Sequence, residues 1–332
     1  MSRPMAGLLM ALGVYGATLT GYAATLAQAK PEIFAPGVIS AGTNVLAPAF
    51  SPDGRSVYFT SATPTTSTIL VSHRQGGQWS TPKVAPFSGQ WSDLEPAMAP
   101  DGSFLIFASS RPLTSEGRAI DGVYEGKTWP GMGGNLWRVD RHGDGWGLPQ
   151  RLPALVNRHS SVFSPSIAAD GSLYFMQPDS DNGYFHLWRA AYVHGQYQAP
   201  TPLSLSDAGS EEVDPAIAPD QSFIVFSRHH PLQADRNRLQ IAFRHGAGWG
   251  VPMDLGDAVN GASGNIEARL GTDGRTLYFS SPRNEPERYP RSPAEAKAFV
   301  VRMQAWDNGT KHIWQISLAP WLDARLASSG VR

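Results

Sequence analysis

The chain has 332 residues, and 27 Lys and Arg stand against 28 Asp and Glu, for a formal net charge of −1. This near-neutral balance argues against a nucleic-acid partner, which calls for a strongly basic surface. The chain has no cysteine, which excludes disulfides and lipidation on cysteine.

The N-terminus has the pattern of an export signal. Arg3 precedes a weakly apolar run, Met5 to Ala27, that ends in the small-x-small sequence Ala27-Gln28-Ala29. We therefore predict a signal peptide over residues 1–29 and a periplasmic or secreted bacterial protein with no stable membrane span after cleavage. The alternative is an uncleaved anchor, which the polar residues and glycines within the run disfavour.

The rest of the chain repeats one line five times. Repetition at roughly 50 residues is typical of radial or solenoid folds. In four of the lines an Asp-Gly pair marks a tight hairpin, and in the fourth line Asp-Gln stands in its place. The shared acids are Asp53, Asp101, Asp170, Asp220 and Asp273.

Each repeat predicts four antiparallel strands, which is one propeller blade. The acid is followed by an apolar, β-branched and aromatic run, then by a third strand, and then by a G-aromatic-x-x-P line suited to an outer edge strand. The aromatic residues of this last line are expected to pack between blades. They are Trp79, Trp146, Tyr197 and Trp249.

We therefore predict an all-β propeller over residues 30–319, with 320–332 as a C-terminal tail. The fifth repeat lacks its outer strand, and residues 32–39 resemble the missing line, so we expect an N-terminal strand to complete the last blade and close the ring. Six blades are the alternative, but a sixth repeat is not visible. The predicted blades are 45–87, 93–156, 162–204, 212–258, and 265–318 with 32–39; long loops are expected at 109–134 and 282–311.

The repeats also resemble a known family. The segments EPAMAPDGSFLIFASSRP and GWGVPMDLGDAVN, the latter followed by DGRTLYFSSPR, are similar to the WD40-like PD40 repeats of TolB-type β-propellers. The resemblance implies a periplasmic or secreted propeller. It implies no single activity, because the family includes binding propellers, modules fused to other domains and lyase relatives. The N-terminal α/β domain of TolB has no counterpart in this sequence.

The first strand of each blade is expected to line the central channel. Just before the position of the repeat's Pro, three blades carry an acid: Glu95, Asp214 and, in blade 5, where Ala replaces the Pro, Glu267. Blade 5 also places Arg269 where the other blades have a small residue. Such a departure indicates either a site for a polar ligand, a cation or a sugar, or an arginine that pairs with Glu267 or Asp214 and plugs the channel.

Other candidates lie in the loops. Arg228 follows a second strand, as do Arg111 and Arg283, and this placement favours a structural role. His229 lies beside Arg228, and Trp91 lies off the repeat pattern, where it is suited to ligand stacking. No metal-ligand spacing and no cofactor are predicted, although the channel acids offer oxygen ligands to a divalent cation.

The sequence favours a non-catalytic scaffold that binds an envelope protein or a polysaccharide at its channel face. The predicted ligand-binding residues are Arg269, Glu95, Asp214, Glu267, Trp91, His229 and Arg228. The alternative is a glycan-active enzyme, either a glycoside hydrolase using paired carboxylates or a polysaccharide lyase using a histidine base. For an enzyme the catalytic candidates are His159, Glu95, Asp214 and Glu267.

Overall fold

The computed structural model describes residues 30–328 apart from 115, 180–182, 206, 208, 231–236 and 263. The predicted signal peptide, residues 1–29, lies outside the described residues. Elsewhere the chain is an all-β, five-bladed propeller, which confirms the predicted fold and blade number. Within the described part, no helix is long and apolar enough to cross a membrane.

Every blade is built outward from the channel on the predicted plan. The innermost strands are β2 (Asn44–Phe50), β7 (Asp93–Met98), β14 (Phe163–Ile167), β20 (Glu211–Ile217) and β25 (Ile266–Leu270). The second strands are β3 (Ser56–Ala62), β8 (Phe104–Ser109), β15 (Leu173–Pro178), β21 (Phe223–His229) and β26 (Thr276–Ser281). Their apolar runs are buried on both faces because each blade is packed between two others.

Two further strands complete each blade. The third strands are β4 (Ser67–Gln75), β11 (Asn135–His142), β16 (Phe185–Ala190), β22 (Arg238–His245) and β27 (His312–Ser317). The outer strands are only two residues long: β6 (Lys83–Val84), β13 (Gln150–Arg151), β19 (Thr201–Pro202), β24 (Met253–Asp254) and β1 (Glu32–Ile33). Short outer strands limit edge-to-edge association.

Short hairpin segments carry the chain from the third to the outer strand. They are β5 (Gln78–Trp79), β12 (Gly145–Trp146), β17 (Tyr192–Val193) with β18 (Gln196–Tyr197), and β23 (Gly248–Trp249). The aromatic residues of these segments join the clusters between neighbouring blades, as predicted; Trp146, for example, donates to the Tyr58 hydroxyl of the preceding blade at 2.9 Å.

Because successive strands are antiparallel, their connections lie alternately on two faces. We call the face with the Asp-Gly turns the turn face and the opposite face the loop face. The turn acids accept backbone N–H groups two residues ahead, as Asp101 does from Ser103 at 2.9 Å. These bonds, with the Ser103 hydroxyl, hold the pKa of Asp101 below its usual range.

The apolar core is divided into five clusters, one at each blade interface. The N-terminal strand belongs to the cluster between blades 5 and 1. It pairs with β27, with Glu32 opposite Gln315, and the Phe34 amide donates to the Ile313 carbonyl at 2.9 Å. The predicted closure of the ring by an N-terminal strand is therefore confirmed.

Two connections on the loop face contain structure beyond the blade plan. The connection in blade 2 forms a hairpin, β9 (Gly122–Tyr124) and β10 (Lys127–Trp129), and that in blade 5 forms helix α2 (Pro293–Ala305). A short helix, α1 (Asp257–Asn260), precedes blade 5. The segment expected as a tail forms helix α3 (Ala319–Ser328), whose Trp321 is buried in the cluster between blades 4 and 5.

Candidate functional site

The innermost strand of every blade carries a β-bulge at one repeat position. Its register with the second strand shifts there, and the residue at the bulge has a positive φ although it is not glycine. Non-glycine residues rarely adopt this conformation, so its presence at five equivalent positions shows that the bulge is a regular part of the channel wall. The residues are Ala47 (49°), Glu95 (56°), Ser164 (48°), Asp214 (57°) and Glu267 (57°).

The bulges bring three carboxylates from three blades together at the channel centre. One oxygen from each of Glu95, Asp214 and Glu267 lies within 4.8 Å of the other two, and all three residues are buried. The predicted convergence of these acids is therefore seen in the structure. Ala47 is the only bulge side chain without a polar group.

Neighbouring blades supply hydrogen bonds to the acids. Ser164 donates its amide to Glu95 Oε2 at 2.6 Å and its hydroxyl to Asp214 Oδ1 at 2.6 Å. The Glu267 amide donates to Asp214 Oδ2 at 2.9 Å, and the Glu95 amide donates to the Thr60 hydroxyl at 2.8 Å. The cluster therefore joins all the blades around the centre of the ring.

Arg269 lies beside the acids and adds one positive charge. Its Nη2 donates to Glu267 Oε2 at 3.1 Å and its Nη1 donates to the Ala268 carbonyl at 2.7 Å, while its Nε has no hydrogen-bond partner among the described residues. Both members of the ion pair have side chains that are only 6% exposed. The structure therefore shows Arg269 paired with Glu267, which is one of the two alternatives that the sequence left open.

Burial changes the protonation of this cluster. It raises the pKa of Glu95 to about 7, and the neighbouring Asp214 charge acts in the same direction. Burial also raises the pKa of Glu267 well above its usual value, with Asp214 and Glu95 adding to the effect. One carboxyl oxygen of Glu95 lies within 4.8 Å of one carboxyl oxygen of Glu267.

A cavity of about 450 Å³ leads from the turn face toward Arg269. It is lined mostly by proline and aliphatic side chains from the innermost strands and turns, including Pro48, Pro96 and Pro165. Arg269 is the one cation among its lining residues. The channel acids are not among them, so the arginine separates the acids from this mouth of the channel.

The arginines after the second strands form a repeated clamp. Arg111 pairs with Asp93, and Arg228 with Glu212 at 3.3 Å, both acids lying two residues before the bulge. Each guanidinium also donates to a backbone carbonyl in the connection from the preceding blade, as Arg111 does to Phe87. Arg228, a predicted ligand-binding residue, thus makes contacts within the protein that join two neighbouring blades.

Blade 5 has the same clamp without the acid. Asn265 occupies the position of the carboxylate, and Arg283 donates to the Val259 carbonyl. Burial lowers the pKa of Arg283 to about 10.

Two histidines lie at the junction of blades 3 and 4 on the loop face. His229, a predicted site residue, places Nδ1 3.0 Å from Glu211 Oε2. His186 lies 2.9 Å from Glu212 and 3.3 Å from Asp179, and the hydrogen bond with Glu212 and the surrounding carboxylates raise its pKa. We therefore identify this junction as an ionic cluster separate from the channel acids.

The remaining candidates are not gathered at the channel centre. His159 is exposed, and its backbone carbonyl accepts from Asn135 at 2.8 Å. Trp91 is half-buried in the connection between β6 and β7. Trp129, the other off-pattern tryptophan, stacks on Tyr124 within the inserted hairpin, with ring centroids 5.5 Å apart.

The inserted helix α2 is held in place at its ends. Ser292 and Glu295 form a capping box at its start. At its end, Asp307 accepts from Arg302 at 3.3 Å, and Trp306 is buried against Trp314. The helix itself buries none of its residues.

Sequence reasoning missed several polar residues that support these groups. Ser164 and Thr60 look like ordinary strand residues, and only the bulge geometry reveals their bonds to the acids. Asn157 and Asn260 had a usable signal, because each follows Val at one repeat position. Both side chains hydrogen-bond the backbone of a third strand.

No family model matches the chain, and no curated protein matches it. Among solved structures, TolB from Acinetobacter baumannii is similar at 14% identity and a TM-score of 0.47, over 83% of this chain and 54% of that one. This chain thus spans about half of that protein.

Two further solved structures are similar to this chain. The PQQ-bound aldose sugar dehydrogenase from Streptomyces coelicolor has 16% identity and a TM-score of 0.44, over 85% of this chain and 82% of that one. A GH62 hydrolase in complex with xylotriose has 9% identity and a TM-score of 0.46, over 87% of this chain and 97% of that one. None of the three assigns an activity to this chain.

Proposed function

We propose that this chain is an exported PD40-type propeller that binds a protein of the cell envelope through helix α2 on its loop face. The observation that carries the proposal is the exposure of the apolar side chains on and beside this helix. Val300, Val301 and Met303 are 42%, 59% and 41% exposed, and Tyr289, in the segment leading into the helix, is 73% exposed. Val300 is next to Val301 in the chain and one turn before Met303, and grouped exposed apolar side chains mark interaction surfaces.

The helix is exposed around most of its circumference. Four residues at helical spacing are partly buried: Ala296, Phe299, Arg302 and Ala305. Val300, Val301 and Met303 each lie one turn from one of these residues and still stay exposed. A capping box and an ion pair fix the helix, so a partner meets a preformed surface and the cost of ordering it is small.

The chemistry of this surface favours a protein over a polysaccharide. Methionine and tyrosine are enriched at protein interfaces. Its aliphatic side chains offer a sugar neither a flat ring nor hydrogen bonds, and Tyr289 is its one exposed aromatic residue. Of the two tryptophans that lie off the repeat pattern, Trp129 stacks on Tyr124 and Trp91 is half-buried.

The channel acids support a structural role rather than catalysis. A glycoside hydrolase needs two carboxyl groups that reach a substrate at separations of roughly 5–9.5 Å. Here the acids are buried, accept bonds from neighbouring blades and lie behind Arg269. The exposed His159 is not in this buried cluster.

Site-specific photocrosslinking tests the partner. A photoreactive residue at Val301 is compared with one at Val251, which is 88% exposed on the outer edge of blade 4. We expect one identified envelope protein to crosslink at 301 only, and the purified partner to bind the Val301→Glu variant at least tenfold more weakly with unchanged melting. Equal crosslinking at both positions, or retardation by polysaccharides instead, would overturn the protein-binding proposal.

Export is a separate part of the proposal and has its own test. It is supported by the pattern of Arg3, the apolar run and Ala27-Gln28-Ala29. Fractionation and mass spectrometry of the mature N-terminus should find a chain that begins at Lys30 outside the cytoplasm. A chain with residues 1–29 intact in the cytoplasm would refute export without affecting the binding test.

A further inference from the structure

The channel centre holds more negative than positive groups. Glu95, Asp214 and Glu267 contribute three carboxyl groups, and Arg269 contributes one guanidinium. All four residues are buried. Burying unpaired charges is strongly unfavourable, so such a cluster takes up a proton or a cation to reduce its charge.

The hydrogen bonds show where the negative charge is least compensated. Asp214 accepts from the Ser164 hydroxyl on one oxygen and from the Glu267 amide on the other. Glu95 and Glu267 each accept one bond, from the Ser164 amide and from Arg269 respectively. The two glutamates are thus the groups that gain most from a shared proton.

We infer that Glu95 and Glu267 share one proton across the channel, so that a carboxyl–carboxylate hydrogen bond ties blade 2 to blade 5. We call this pair the proton latch. Its loss leaves three carboxylates facing one guanidinium and loosens the centre of the ring, which makes the stability of the propeller respond to pH.

The surroundings of the latch support this assignment. Asp214 from β20 and Arg269 from β25 are the charged groups that act on both glutamates, and Ser164 and Thr60 add neutral hydrogen-bonding groups. Burial, with the Asp214 charge, raises the pKa of both latch residues, to about 7 for Glu95. The latch therefore keeps its proton to a higher pH than an exposed glutamate does.

The sign of the pH effect follows from proton linkage. A carboxyl whose pKa is higher in the folded than in the unfolded state binds its proton more tightly when folded. The stabilisation is complete below the unfolded value of 4.5 and is lost as the pH rises through about 7. Between pH 5 and pH 8 we expect the unfolding equilibrium constant to rise by about a hundredfold.

The test is urea unfolding of residues 30–332 from pH 5 to pH 9. Wild type is compared with Glu95→Gln and Glu267→Gln, which keep the shape and remove the titration, and with Asp101→Asn, which changes an exposed turn acid. We expect the wild-type and Asp101→Asn midpoints to fall with rising pH and the glutamine variants to be flatter. A wild-type midpoint that is independent of pH would overturn the proposal.

Infrared spectroscopy of the folded wild type gives a direct readout that needs no variant to fold. A protonated carboxyl C=O band should disappear as the pH rises from 5 to 9, and its absence at pH 5 would refute the latch. A divalent cation is the competing occupant. If Ca²⁺ or Mg²⁺ stabilises wild type at pH 8 and chelation reverses this, while Glu267→Gln does not respond, the cluster holds a cation and not a shared proton.

Discussion

Phe34→Ala tests whether the N-terminal strand closes the ring. Phe34 is 8% exposed, and its ring lies edge-on to Phe50, Trp79 and Tyr278 at centroid distances of 5.3–5.8 Å. Two of these partners belong to blade 1, while Tyr278 belongs to blade 5. Truncation therefore removes contacts between the first and the last blade.

The expected loss is large for a single substitution. Replacing a buried phenylalanine by alanine costs about 3–5 kcal/mol through lost burial and the cavity left behind. The three edge-to-face contacts place this site at the upper end of that range. For a chain of this size the change corresponds to a fall in Tm of roughly 5–10 °C.

Urea unfolding followed by tryptophan fluorescence measures the change, and calorimetry checks the melting temperature. Tyr289→Ala is the matched control, because it truncates an aromatic ring that is 73% exposed and should change stability by no more than about 0.5 kcal/mol. A loss below about 1 kcal/mol for Phe34→Ala would refute closure through this strand.

Three other predictions concern buried or half-buried polar groups, each measured by urea unfolding. Arg269→Met should lower the free energy of unfolding by about 3–5 kcal/mol, because Glu267 loses its ion pair; no loss would show that the pair is dispensable. Asn260→Ala should cost about 1–3 kcal/mol, since the Leu239 backbone loses two hydrogen bonds; an unchanged midpoint would contradict this. His186 has a raised pKa in the folded state, so its stabilisation is present below about pH 6.5 and lost as the pH rises through the folded value. His186→Asn should therefore weaken the protein more at pH 6 than at pH 9, and the opposite order would refute the assignment.

Much of the fold was predictable because each repeat contains its own turn and strand signals. The turn acids mark the same hairpin five times, and the aromatic residues that follow the third strands pack between blades as expected. Comparing the repeats also located Glu95, Asp214 and Glu267 at one position. The acids therefore lie together because the ring places equivalent positions around one axis.

What the repeats do not state is the backbone conformation at that position. A positive φ at Glu95 or Asp214 is unusual for a residue other than glycine, and without it the hydrogen bonds from Ser164 are not foreseeable. Bulge geometry arises from strand pairing between distant segments rather than from local propensity.

Helix α2 is a different case, because a local signal was present and was not used. Ser292 followed by Pro293 and Glu295 is the sequence of a capped helix start. The segment was expected only as part of a long loop at 282–311. How much of each helix side chain stays exposed depends on where the helix lies beside the blade, and the sequence alone does not determine that.

Closure by the N-terminal strand also constrains when the protein can finish folding. The Ser40 hydroxyl donates to the Ile313 carbonyl, which lies 273 residues later in the chain. Segments made early in synthesis thus wait for partners made last, and contacts of such long sequence separation form slowly. Until then blade 5 presents an unpaired edge, so the incomplete chain is the form most exposed to aggregation and to chaperones.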